Sequence, residues 1–152
     1  MMNTVVYDSP IGKLWLSAEN GKIVSLSFSG TQADAEITEP VLSKAMNQLS
    51  EYFAGKRKAF DLPLELHGTP FQKSVWNELV KIPFGRTETY GEVAAKIGKP
   101  KAARAVGMGC NRNPIAIIIP CHRVVGKNGS LTGFAGGLDV KSKLIEHEKA
   151  EL

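Results

Sequence analysis

The stretch IAIIIPCHRVV, residues 115–125, ends an apolar run at Pro120 and sets Cys121, His122 and Arg123 side by side. A cysteine thiolate is a strong nucleophile, but a free thiol with a pKa near 8.5 is mostly protonated at neutral pH. Cys121 therefore needs a base or a positive field before it can react. In an extended chain, neighbouring side chains point to opposite faces. Contact between Cys121 and His122 then requires a turn, which Pro120 permits, or a bridging water. Taken alone, the pair also fits a buried structural cysteine. Metal binding is the poorer reading: Cys110 and Cys121 are eleven apart, His67 and His147 are distant, and no CxxC or HExxH spacing occurs. Cys110 reads as a small core residue at a helix end.

A catalytic base is usually oriented by a third group. The segment GGLDVKSKLIEHEKAEL supplies a candidate. Asp139 is expected to cap a helix with Val140 and Leu144 on its apolar stripe. One turn further on, Glu148 falls on the buried side, whereas Glu146 projects to the opposite face. Buried carboxylates are rarely unpaired. A Cys121–His122–Glu148 relay follows as one reading, a frayed terminal helix with an exposed Glu148 as the other.

The elements that must hold these residues can be read from periodicity. TVVYD, KLWLSA and IVSLSFS are strand-like, and ENGK between the last two carries an Asn-Gly hairpin signal. From Pro40 to about Ala54 apolar residues recur at helical spacing. A charged, Pro-containing connection follows, and a domain boundary is placed near residue 65. In the second half, Thr69 and Pro70 open a helix whose apolar face is Val75, Trp76, Leu79 and Val80. Thr89 and Glu92 make a T-x-x-E capping box, which puts Tyr90 on the first turn of a helix through Ile97. Gly98 ends that helix, and Pro100 is expected to start another running to about Cys110. Two short helices across a tight turn describe a helix-turn-helix. The second helix is poor in base-reading side chains: Ala102, Ala103, Val106 and Gly107 are small, and Arg104 alone is long.

Composition bounds the class. With 152 residues, 43% of them hydrophobic, the chain can bury an ordinary core. The longest apolar run is too short to span a bilayer, and the N-terminus lacks secretory features, so the cytoplasm is the expected compartment. Two cysteines are too few for a disulfide framework. Residues 81–127 hold nine Lys or Arg against two acids, a net +7, while the rest of the chain carries −3. A basic block around a candidate site suggests an anionic partner, nucleic acid first, with a solvated basic face as the plain alternative.

TYGEVAAKIGKPKAARAVG, CNRNP, IPCHRVV, GFAGGL and LIEHE, in this order along the chain, closely resemble the O6-alkylguanine-DNA alkyltransferases (methylated-DNA–protein-cysteine methyltransferases). The resemblance runs from about Thr69 to Glu148. It implies a small α/β, ribonuclease-H-like N-terminal domain over 1–65, an antiparallel sheet plus a helix. A mostly helical domain with a winged-helix-like helix-turn-helix would follow over 66–152. It also implies irreversible, stoichiometric transfer of an alkyl group from O6 of guanine, with O4 of thymine as a further candidate donor, to Cys121, with His122 and Glu148 as a water-mediated base and its orienting acid. Asn113 would link the helix-turn-helix to the site. Tyr90 would donate to N3 of the departing guanine. Ala102, Ala103 and Arg104 would dock in the minor groove, Arg104 filling the space of the flipped-out nucleotide. Val124, Phe134, Ala135 and Gly136 would line the base pocket, Phe134 standing where a tyrosine is common. No cofactor or metal is implied, and the expected partner is double-stranded DNA carrying O6-alkylguanine, bound by a monomer with no membrane. The competing functions are a cysteine hydrolase and a lesion-binding module without chemistry.

Overall fold

The computed structural model describes residues 2–152 and divides into two compact units, one ending at Leu66 and one running from His67 to Leu152. In the first unit, β1 (Asn3–Ser9), β2 (Gly12–Glu19) and β3 (Lys22–Ser27) form an antiparallel sheet in the order β1-β2-β3. The β2–β3 turn has Asn20 and Gly21 both at positive φ, 53° and 79°, which only a mirror-image turn needs and which this pair supplies. Alternation buries Leu14, Leu16 and Ala18 of β2, and a bulge in the β2–β3 pairing at Ser17/Ala18 brings Ile23 and Leu26 of β3, three residues apart, opposite Ala18 and Leu16. Leu42, Ala45, Leu49 and Tyr52 of α1 (Pro40–Phe53) complete that core at helical spacing. Gln48 lies on the same buried face, and its amide brackets the connection by pairing with both backbone groups of Asp61, at 3.0 and 2.9 Å.

The second unit is built on helices. α2 (Pro70–Leu79) carries a full capping box between Thr69 and Gln72 and buries Val75, Trp76 and Leu79. Val80, expected on that apolar face, is instead half exposed, because the helix ends there and its side chain leaves the packed stripe. Glu88–Thr89 forms a two-residue strand, β4, and α3 (Tyr90–Lys96) follows with the Thr89–Glu92 box in place. α4 spans Ala103–Asn111, three residues later than the sequence suggests. Gly98 adopts φ 78° and Lys99–Ala102 closes a turn, so Pro100 belongs to the connection rather than to the helix. The Trp76 indole donates to the Gly109 carbonyl at 2.9 Å and locks α2 to α4. β5 (Val124–Val125) pairs with β4 in parallel, and α5 (Leu138–Ala150) closes the chain. Asp139 does not cap α5. Gly137 occupies that position at φ 92°, and Asp139 sits in the first turn, paired with Lys143 at 3.1 Å. Among the described residues no helix is long and apolar enough to cross a membrane.

Candidate active site

Residues 115–119 read as an extended apolar run, yet they do not form a strand. The Ile118 N–H donates to Ala116 O at 2.8 Å across Ile117, whose φ is +70°. That γ-turn is uncommon for a β-branched residue and costs on the order of 1–3 kcal/mol. A second turn, of the inverse kind, closes at Pro120 (φ −81°, ψ 66°) with Cys121 N–H on Ile119 O at 2.8 Å. The Asn113 side chain spans the segment, donating to Ile119 O at 2.7 Å and accepting from Ile115 N–H at 3.0 Å. The chain then enters a 3-10 turn over Cys121–Arg123. The Cys121 side chain is thus presented by two successive tight turns tied together by one amide. Periodicity cannot foresee this, since a buried apolar run looks the same in a strand and in such a loop.

His122 and Glu148 meet as the relay requires, because α5 holds its shape through residue 150 and Glu148 lies one turn beyond buried Leu144. His122 Nε2 is 2.6 Å from Glu148 Oε2. Arg123 donates to both carboxylate oxygens, Nε to Oε1 at 2.8 Å and Nη2 to Oε2 at 3.1 Å, and its Nη1 donates to Ile82 O at 2.7 Å. The Gly85 N–H, in a turn at φ +80°, adds a bond to Oε1 at 3.1 Å. Burial alone would push the Glu148 carboxyl up, but the His122 and Arg123 hydrogen bonds and the Arg123 charge hold it well below the usual range. An ionised carboxylate only accepts, so Nε2 of His122 carries the proton and Nδ1 presents a lone pair. Nδ1 is buried and has no hydrogen-bond partner among the described residues. The Cys121 thiol is therefore not in direct contact with it.

Burial pushes the Cys121 thiol above its ordinary value, opposed by the Asn113 side chain and the Lys141 charge. Burial likewise pushes His122 below 6.5, opposed by Glu148. The resting pair is a neutral thiol and a neutral imidazole. Between its folded and unfolded pKa values, His122 binds more protons in the unfolded chain. Stability should therefore be full above about pH 6.5 and fall as the pH drops below it. The thermal unfolding midpoint is expected to decline from about pH 7 to about pH 5, and His122→Gln should flatten that decline. An unchanged slope in the variant would place the titrating group elsewhere.

A second cluster surrounds Tyr90. Lys141 of α5 is fully buried and donates to Thr132 O at 3.0 Å and to the Tyr90 hydroxyl at 3.4 Å. Tyr90 donates to Thr132 O at 3.2 Å and accepts from Thr132 Oγ1 at the same distance. Burial draws the Lys141 pKa down, opposed by the two cysteine sulfurs. It pushes Cys110, 7% exposed, up to about 12, so that thiol stays protonated. Lys141 escaped the sequence reading, although the spacing that turns Glu148 inward from Leu144 also turns Lys141 inward.

Tyr90, Thr132 and α4 border an apolar cavity of about 380 Å³, whose α4 wall includes Ala103, Arg104 and Met108. Arg104 is exposed, while Ala102 and Ala103 are partly buried. Val124 is buried, and its N–H is engaged with Cys121 O. Phe134, Ala135 and Gly136 do not line this cavity, and neither does Cys121. They lie in the turn before α5, where Gly137 N–H donates to Phe134 O at 2.9 Å. Among the described residues, no three His, Cys, Asp or Glu side chains gather as metal ligands would.

Residues 2–66 match the family model described as 6-O-methylguanine DNA methyltransferase, ribonuclease-like domain, and residues 70–150 the DNA binding domain of the same description. A methylated-DNA–protein-cysteine methyltransferase of Methanosarcina acetivorans is 48% identical, over 97% of this chain and 98% of its own length. The Bacillus subtilis protein of that name, designated constitutive, is 44% identical over 93% and 92% of the two chains. The crystal structure of Mycobacterium tuberculosis OGT in complex with DNA aligns with a TM-score of 0.88 and 45% identity, covering 99% of this chain and 93% of that one. With both halves matched in order, and a buried cysteine–histidine–carboxylate set in the second, the chain belongs to the 6-O-methylguanine DNA methyltransferase family.

Proposed function

We propose that this chain repairs alkylated DNA by direct reversal, moving the alkyl group from O6 of guanine in double-stranded DNA to its own Cys121. The observation that carries this reading is the buried thiol beside a histidine whose one nitrogen is anchored on Glu148 and whose other is free to accept. In the reaction, His122 Nδ1 takes the thiol proton through a bridging water, and the imidazolium so formed is stabilised by Glu148. The sulfur attacks the alkyl carbon, the carbon–O6 bond breaks, and its electron pair leaves with guanine. Tyr90 donates toward N3 of the departing base. Lys141 and Thr132 donate to the Tyr90 oxygen and so favour release of its own proton, against burial, which pushes the Tyr90 hydroxyl above its ordinary pKa. Arg123 acts as a positioning residue that holds Glu148 ionised. Asn113 keeps the turns that present Cys121. The alkylated base is the donor, so no cofactor enters, and a thioether, once formed, ends the reaction.

The target atom is stacked inside a duplex and must be extruded to be reached, at a cost of a few kcal/mol. The small-residue face of α4, with Ala102 and Ala103 ahead of Arg104, suits close minor-groove docking, with Val124, Phe134, Ala135 and Gly136 near the extruded base. We place the activity in residues 66–152, in a monomer in the cytoplasm, a setting in which two free thiols persist.

The test is intact mass after mixing with duplex DNA carrying one O6-methylguanine. One methyl per chain, then no further turnover, is expected. Multiple turnovers would point to a hydrolase, and unmodified DNA-bound protein to a binding module. Arg104→Ala should slow transfer from duplex by about tenfold or more, by the cost of an unaided extrusion, and leave reaction with free O6-methylguanine base nearly unchanged. Equal slowing on both substrates would remove the space-filling role.

A further inference from the structure

The outward face of α4 carries one large apolar side chain. Met108 is 60% exposed, although the helix buries Val106, Gly109 and Cys110 on its other side. Arg104 lies one turn before it, and Asn111 and Arg112 lie three and four residues after it, all exposed. Met108 is therefore an apolar centre ringed by groups able to contact phosphate or sugar. It also forms part of the wall of the cavity that Tyr90 and Thr132 border, as Arg104 does.

We propose that Met108 is a second wedge: its thioether presses into the base stack beside the gap that Arg104 fills, so two side chains, one cationic and one apolar, hold the duplex open. This rests on the reading of the chain as a protein that extrudes guanine from DNA. The flanking positive charge at Arg104 and Arg112 selects a polyanion as the partner of this face. The minor groove presents no thymine methyl, so an apolar contact from that side reads no base edge and serves a protein that must act at any sequence. Methionine suits the task, being unbranched, flexible and polarisable, and apolar side chains of this kind are those that unstack base steps from the minor groove.

The test compares Met108→Ala, Met108→Gln and Met108→Leu with the unmodified chain on three substrates: duplex and single-stranded DNA containing O6-methylguanine, and the free base. Met108→Ala and Met108→Gln should transfer from duplex about tenfold more slowly, with single-strand and free-base rates within about twofold of normal. Met108→Leu should keep the duplex rate within about twofold. Normal duplex transfer by Met108→Ala overturns the proposal, as does equal slowing on all three substrates. A Met108→Gln variant as fast as Met108→Leu would show that bulk rather than apolarity matters, and the wedge would be discarded. If the unmodified chain transfers no methyl from any of the three substrates, the repair reading fails and the assignment of Met108 falls with it, a result distinct from slowing confined to the variants.

Discussion

Cys121→Ala should gain no methyl group from duplex DNA carrying O6-methylguanine, while still binding that DNA and remaining folded. The loss is expected to be complete, since no second nucleophile is poised to substitute. Cys110, the other thiol, is held protonated by burial, which pushes it up to about 12. Removing one buried sulfur leaves a small cavity and costs about 1–2 kcal/mol, not enough to unfold an ordinary domain. Cys121→Ser should be equally inactive, because a hydroxyl is far harder to deprotonate than a thiol and its resulting oxygen nucleophile would not be formed by a neutral imidazole. Intact mass and a DNA mobility shift, read on the same samples, separate the two functions. A methylated Cys121→Ala protein would move the acceptor elsewhere, and a variant that no longer binds DNA would show that Cys121 serves the fold.

The largest effect on stability is expected at Arg123. It donates to both oxygens of Glu148 and to the Ile82 carbonyl, and its guanidinium lies 5.8 Å from the Phe84 ring centroid. Arg123→Met keeps much of the volume but strands a buried carboxylate and a carbonyl. Breaking a buried pair on one side costs about 3–5 kcal/mol, which lowers the melting temperature by roughly 10 °C in a chain of this size. The double variant Arg123→Met with Glu148→Met removes both charges and should recover much of that loss. A second signature belongs to the site itself. The Arg123 charge is among the causes that keep His122 below its ordinary pKa. Without it, His122 titrates at higher pH, so the acid limb of methyl transfer should move upward in Arg123→Met. A stability loss with an unmoved acid limb would reduce Arg123 to a packing role.

Much of the site is legible in the residues because its logic is local. Thr89 and Glu92 specify a helix start by satisfying backbone groups within one turn, and Tyr90 follows from them. Glu148 is placed inward by the helical period alone, four residues beyond Leu144. Where a pattern had more than one physical solution, the expectation slipped. Pro100 is favourable in a first helical turn but equally at home in the tight connection that Gly98 opens. Asp139 is a good capping residue, yet a glycine with positive φ two places earlier took the position. Val80 continues the apolar period of α2, but a period says nothing about where the helix stops.

By itself the sequence determines the chemical inventory: a nucleophilic thiol, an adjacent imidazole, an inward carboxylate, and a basic segment carrying a small-residue helix. These follow from residue type and from spacings of one or two turns, which covalent geometry enforces whatever surrounds them. Only the tertiary structure decides how the groups are charged and which of them meet. The neutral His122, the ionised Glu148 clasped by Arg123 and Gly85, and the buried Lys141 at Tyr90 depend on partners 9 to 63 residues away in sequence. Protonation is set by burial and by neighbouring charge, and both are properties of packing rather than of any local run of residues.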